Sequence, residues 1–458
     1  MNFAFSGRAG HMPRCGAIAL VALLWGASVQ AQNARPPKAQ LWIDVSTGTM
    51  AGMPEMELPG GVGGLLGGVM GARLPAGMGG GHQTYGLART PNMMPPRVLD
   101  LAFHNSLRPG VEVAQAVPPG LRMGEQLPLL PPRPQASGST PEREPGELPP
   151  EVEKPKGRVL IYWGCGEAVR PGQPRVIDLA KGRAADLGQA FAGRYVPDRG
   201  ARVGPQHVLF PNERNTQTLS RDSSLVGEHR VLGDGVPASM KFTLGAAQDV
   251  MPAIELTASG SVQNSITVSW REVPHARAYY LHAMSMAGDD WVLWSSSETA
   301  DTGMGLFDYL PNATVDKWLK ERVLLKPDQT QCAIPRGIFA LPANAGRHDK
   351  AAPMLRMIAY GSEAHLAYPP PPADPKARWE PEWAVRLRLK THTMAMLGEE
   401  ASQLPQARAA GSAPAPAGGA PAAAAPPPSL ADQAVEKAAE KIGLPSGAAS
   451  VLKGLFGR

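Results

Sequence analysis

The stretch Ser265–Met284, SITVSWREVPHARAYYLHAM, constrains the fold more than any other part of the chain. It alternates apolar and polar residues with the period of two that a half-buried strand requires, breaks at a proline, and alternates again. Ile266, Val268 and Trp270 fall on one face, and Thr267, Ser269 and Arg271 on the other. Past the corner Val273-Pro274-His275-Ala276, residues Tyr279, Leu281 and Ala283 share a face. A helix would scatter these residues around its axis, so the pattern predicts two strands joined by a corner.

Similar short runs, bounded by glycine and proline, predict further strands. They are Gln40–Ser46, Val98–Phe103, Arg158–Trp163, Arg175–Leu179, Met240–Leu244, Ile254–Ala258, Trp291–Ser295, Leu355–Tyr360, His365–Tyr368 and Trp383–Lys390. In the last run Val385, Leu387 and Leu389 are expected inward. Arg386, Arg388 and Lys390 are expected in solvent, a basic row that discourages edge-to-edge pairing or meets an anionic surface. Thr314–Leu325 reads as a helix. Seven of the nine tryptophans fall between Trp163 and Trp383, which places the folded mass there.

The spacing W-x-x-V-P-x-A-x-x-Y, from Trp270 to Tyr279, resembles the B–C corner of a fibronectin type III domain. The resemblance implies a tryptophan packed between two sheets and a domain over about residues 252–397. It departs from the family between Thr314 and Ala352, where a helix and a long run stand in place of a middle strand. The fold class expected is therefore mainly β: a fibronectin type III-like sandwich with an additional β-rich region. Long Gly/Pro-rich segments and a short C-terminal amphipathic helix complete it. Such a domain is a scaffold, so the resemblance implies binding more readily than catalysis.

The chain divides by composition. Residues 1–31 read as a signal peptide, with Arg8 and Arg14 ahead of the apolar run Ala17–Trp25 and a small-residue site ending at Ala31. That run is too short to span a bilayer, and no later segment is a candidate. Residues 32–156 are Gly/Met- and Pro-rich and expected to be largely disordered, with short strands. A β-rich region follows at 157–251, the sandwich at 252–397, an Ala/Pro linker at 398–428 and a short helical tail at 429–458. Removing residues 1–31 takes away two arginines and no acid, so the formal charge falls from +5 to +3. That charge is too small to mark a nucleic-acid binder.

After cleavage only Cys165 and Cys332 remain, the pattern of one disulfide in an exported chain. Cys165 between glycines could also be a nucleophile, but no histidine lies close in sequence to activate it. Met50, Met53 and Met56, with His82 nearby, have the spacing and softness to bring thioethers round Cu(I). Apart from copper, no cofactor is implied, and Asp289-Asp290 lacks the spacing of a calcium loop. Trp291, Trp294, Trp379 and Trp383 could form a platform for sugars. In the tail, Leu430, Val435 and Ile442 lie on one helical face and are candidates for docking on a partner.

These readings converge on an exported protein, periplasmic or at the cell surface, that binds an envelope protein or surface polymer and is not an enzyme. Copper handling through the Met-rich segment is the first alternative. An envelope hydrolase or transferase is the second.

Overall fold

The computed structural model describes residues 35–52, 85–90, 96–132, 157–179, 193–197, 200–340, 352–374 and 376–398. Its strands begin with β1 (Ala39–Met50), β2 (Arg97–Asn105), β3 (Val113–Ala116), β4 (Gln126–Leu129), β5 (Arg158–Trp163) and β6 (Arg175–Asp178). Next come β7 (His207–Phe210), β8 (Gly227–Gly233), β9 (Lys241–Leu244), β10 (Leu256–Gly260) and β11 (Ile266–Trp270). The last are β12 (Ala278–Ala287), β13 (Asp290–Ser295), β14 (Gln331–Ile334), β15 (Met354–Tyr368) and β16 (Trp383–Met396). One α-helix of the described residues, α1 (Asn312–Lys320), lies between β13 and β14.

Three sheets result. The largest has nine strands in the order β6-β5-β13-β12-β15-β16-β1-β2-β7; the others are β10-β11-β14 and β4-β3-β8-β9. The protein is mainly β, as the alternation predicts. Both small sheets pack on the same face of the large one. Ile266, Val268, Trp270 and Ile334 from one, and Val113, Leu127, Val231 and Phe242 from the other, share a core with inward residues of β1, β2, β12, β13, β15 and β16.

The corner after β11 explains how neighbouring segments come to serve opposite sheets. Trp270 is buried and meets the Tyr279 ring edge-on at 5.5 Å. The Val273 amide donates to the Tyr279 hydroxyl at 2.9 Å, which fixes the turn. β11 then pairs with β10 and β14, whereas β12 pairs with β13 and β15. In β15 the register shifts between Tyr360 and Glu363. Gly361 sits there because a side chain has no room: a Cβ would lie 2.6 Å from the Met251 sulfur and 2.7 Å from Leu389.

Strands from compositionally different regions join this one sheet. β1 pairs in parallel with β16 along its whole length, and β5 pairs in parallel with β13. The helix expected over Thr314–Leu325 forms earlier, at Asn312–Lys320, and buries Val315 and Trp318. It stops before Arg322, whose φ of 57° no α-helix allows. No helix among the described residues is long and apolar enough to cross a membrane. The signal-peptide segment, most of the Gly/Met-rich tract, residues 133–156 and everything from 399 onward lie outside the described residues.

Cys165 and Cys332 are bonded, with Cα atoms 5.1 Å apart across 167 residues of sequence. The bridge ties the loop after β5 to β14, and therefore the large sheet to the three-stranded one. Closing so long a loop restricts the unfolded chain, so the double variant C165A/C332A is expected to lose about 2–5 kcal/mol. Urea titration of both proteins measures this, and a loss under about 1 kcal/mol would count against that role.

Candidate functional site

The face of the large sheet turned away from the core is not the solvated surface that alternation implies. Register places Asp100 of β2 opposite Asp44 of β1, and Asp44 opposite Arg388 of β16. The next rung holds Ser46 opposite Lys390, with Tyr360 of β15 beyond it. Asp44, Asp100, Arg388 and Lys390 are all at most 3% exposed. The expectation of Arg388 and Lys390 in solvent is therefore overturned. β16 is an interior strand, and Tyr309 and Gly200 cover it. The Arg388 guanidinium and the Lys390 ammonium lie 4.5 and 4.6 Å from the Tyr309 ring centre. A Cβ on Gly200 would lie 2.3 Å from Arg388. Only Arg386 of this row keeps partial exposure, and it pairs with Glu363.

Each of these four side chains is met by a neighbour. Arg388 grips Asp44 through two nitrogens, one at 2.7 Å. Burial opposes its charge, yet the Asp44 carboxylate holds the guanidinium above its usual range. Asp308 meets Arg89 at 3.2 Å and Lys390 at 3.5 Å. Burial nevertheless lowers the Lys390 ammonium to about 8. Asp100 accepts the amides of Gly86 and Ala88 at 3.1 and 2.8 Å through one oxygen. Its other oxygen has no partner, and burial, with Asp44 alongside, raises the carboxyl to about 8. Two carboxyl groups side by side in a buried layer oppose each other's ionisation, which favours the protonated form of Asp100.

Further along the same face, Tyr280 and His282 of β12 lie under the segment Thr302–Phe307. His282 gives Nε2–H to the Thr302 carbonyl at 2.8 Å, and Phe307 meets both rings edge-on. Burial, with Arg356 next to it, lowers the imidazole to about 4, so it is neutral. Its Nδ1 has no protein partner. Burial also raises the Tyr280 phenol well above its usual value. The Arg356 guanidinium lies 3.9 Å over the Phe307 ring. Period-two alternation carries the signal that these residues share a face. Helix α1, legible in the sequence, packs Val315 and Trp318 into the same cluster as Tyr280 and Ile358, whereas the segment Thr302–Phe307 carries no such signal.

The other candidates are dispersed. Cys165 is in the disulfide, which removes its thiol from nucleophilic chemistry. Trp291 and Trp294 point to opposite faces of β13. Trp294 is buried and donates to the Gly164 carbonyl, while Trp383 is buried and donates to that of Ser239. Trp379 donates to the Pro369 carbonyl beyond the end of β15. These four therefore form no shared aromatic platform. Asp290 pairs with Arg158 at 2.6 Å. Met50 ends β1 half-buried. Met53, Met56 and His82, like Leu430, Val435 and Ile442, lie outside the described residues. Among the described residues no cluster of three or more His, Cys, Asp or Glu could hold a metal ion. No family model, no curated protein and no solved structure matches the chain.

Proposed function

We propose that the protein is an exported, non-enzymatic binding or structural module built on a fibronectin type III-like sandwich. The observation that carries this reading is the division of strands at the Pro274 corner. β10, β11 and β14 correspond to A, B and E of such a sandwich, and β13, β12, β15 and β16 to C′, C, F and G. Trp270 lies buried where the two groups face each other. β1 then extends the sheet beyond its last strand and β5 beyond C′, which covers both margins.

Export is supported by the disulfide, a bond that persists in oxidising compartments. A binding or structural role is supported by the buried charges, which neutralise one another under fixed cover instead of converging on an open cleft. Cell fractionation with N-terminal sequencing tests the reading. The expected product starts after Ala31, lies outside the cytoplasm and has no titratable thiol at Cys165 or Cys332. Cross-linking in intact cells should join it to an envelope protein or surface polymer. Recovery from the cytoplasm with residues 1–31 in place overturns export, and a monomer free of cross-links overturns binding.

A further inference from the structure

Beyond the polar layer, the outer face of the large sheet changes character over two rungs. Met354 of β15 stands directly opposite Met284 of β12 on one side and Met396 of β16 on the other. On the next rung Met394 stands opposite Met50 of β1. Their neighbours Ala283, Leu355 and Ala395 belong to the main core, so these methionines face away from it, and Met284 packs at the edge of the smaller apolar cluster of Val159, Ile161 and Leu293. Met396 is 42% exposed and the other four are half-buried. We propose that Met284, Met354 and Met396 form a surface site for one soft monovalent cation, Cu(I), bound through three thioether sulfurs.

Four points support this. Adjacent strands are about 4.8 Å apart, so flexible methionine side chains on one rung can converge on a single ion. Apolar covering alone would be served better by β-branched residues, which suit strands; what methionine adds is sulfur. Among the described residues no carboxylate stands on either rung, which disfavours hard cations such as Ca²⁺ or Mg²⁺, whereas neutral soft donors suit Cu(I). Arg356, the cation on the second rung, is held over the Phe307 ring. His282, two residues before Met284 on the same face, adds a buried Nδ1 with no protein partner. The site is separate from the Met50, Met53, Met56 spacing and does not depend on the module reading above, since titration measures it directly.

The test is anaerobic Cu(I) titration of the full chain against bicinchoninate, beside the variant M284L/M354L/M396L. Leucine keeps volume and apolarity but removes the sulfur. The variant should melt at the wild-type temperature without metal and bind Cu(I) at least about tenfold more weakly. In parallel, protein labelled with ¹³C at the methionine methyls is titrated with Ag(I), a redox-stable analogue. The resonances of Met284, Met354 and Met396, assigned from single leucine variants, should shift together at one equivalent. Equal Cu(I) affinity in the triple variant overturns the proposal. So do Ag(I) shifts confined to other methionines, which remain readable if the triple variant misfolds.

Discussion

Replacing Arg388 by methionine is expected to cost the fold about 3–5 kcal/mol, because it leaves Asp44 buried without its counter-charge. Both side chains are nearly inaccessible, and the carboxylate's neighbour on the other flank is a second carboxyl, Asp100. Arg271 provides the contrast. It pairs with Glu255 at 3.1 Å, but its side chain is 78% exposed. Arg271→Met should therefore change stability by less than about 1 kcal/mol. Combining Arg388→Met with Asp44→Val removes both charges and should recover more than half of the loss, since an apolar pair can replace a buried ion pair at little cost. Urea denaturation of the four proteins checks this. A loss under about 1 kcal/mol for Arg388→Met would mean that the guanidinium is hydrated.

The same strand shows how far the sequence can be read. Alternation assigns Val385, Leu387 and Leu389 inward, and they are in the core. The large sheet also takes up Gln40–Ser46 and Arg158–Trp163, both strand-like in sequence. Alternation says which residues share a face; it does not say whether water or protein lies over that face. Part of the cover is helix α1, whose Val315 and Trp318 pack with Tyr280 and Tyr360 and whose period is legible; the rest comes from 85–90, from Gly200 and from 303–309, short segments with no period to detect. β3, β7 and β8 are illegible for a related reason. β3 and β7 span four residues each, and β8 carries Glu228, His229 and Arg230 where an apolar run would announce a strand. Parallel pairing of β1 with β16 joins residues more than 340 positions apart, and no local pattern encodes it. The methionine rungs are similar. Met284, Met354 and Met396 carry no signal singly and become a group only through register.

Asp100 carries the second large expectation, and its sign follows from its position. The fold raises the carboxyl from 3.8 to about 8, mainly through burial. The native state thus holds a proton that the unfolded chain releases near pH 4. This contribution to stability is complete below pH 4 and is lost as pH rises toward 8. Lys390 works in the opposite range. Its ammonium is lowered from 10.5 to about 8, so its contribution is present above 10.5 and lost as pH falls through 8. Together they place the least stable point of this layer near pH 8. Asp100→Asn reproduces the neutral carboxyl: its oxygen can accept the Gly86 and Ala88 amides, and its NH₂ can donate toward Asp44. The variant should match wild type near pH 4 and exceed it by at least about 2 kcal/mol at pH 8, since each tenfold change in proton affinity is worth about 1.4 kcal/mol. Taking the difference between the two proteins in urea at each pH cancels the other carboxylates. A difference that stays constant from pH 4 to 8 would mean that Asp100 is ionised in the fold and holds residues 86–88 as an anion.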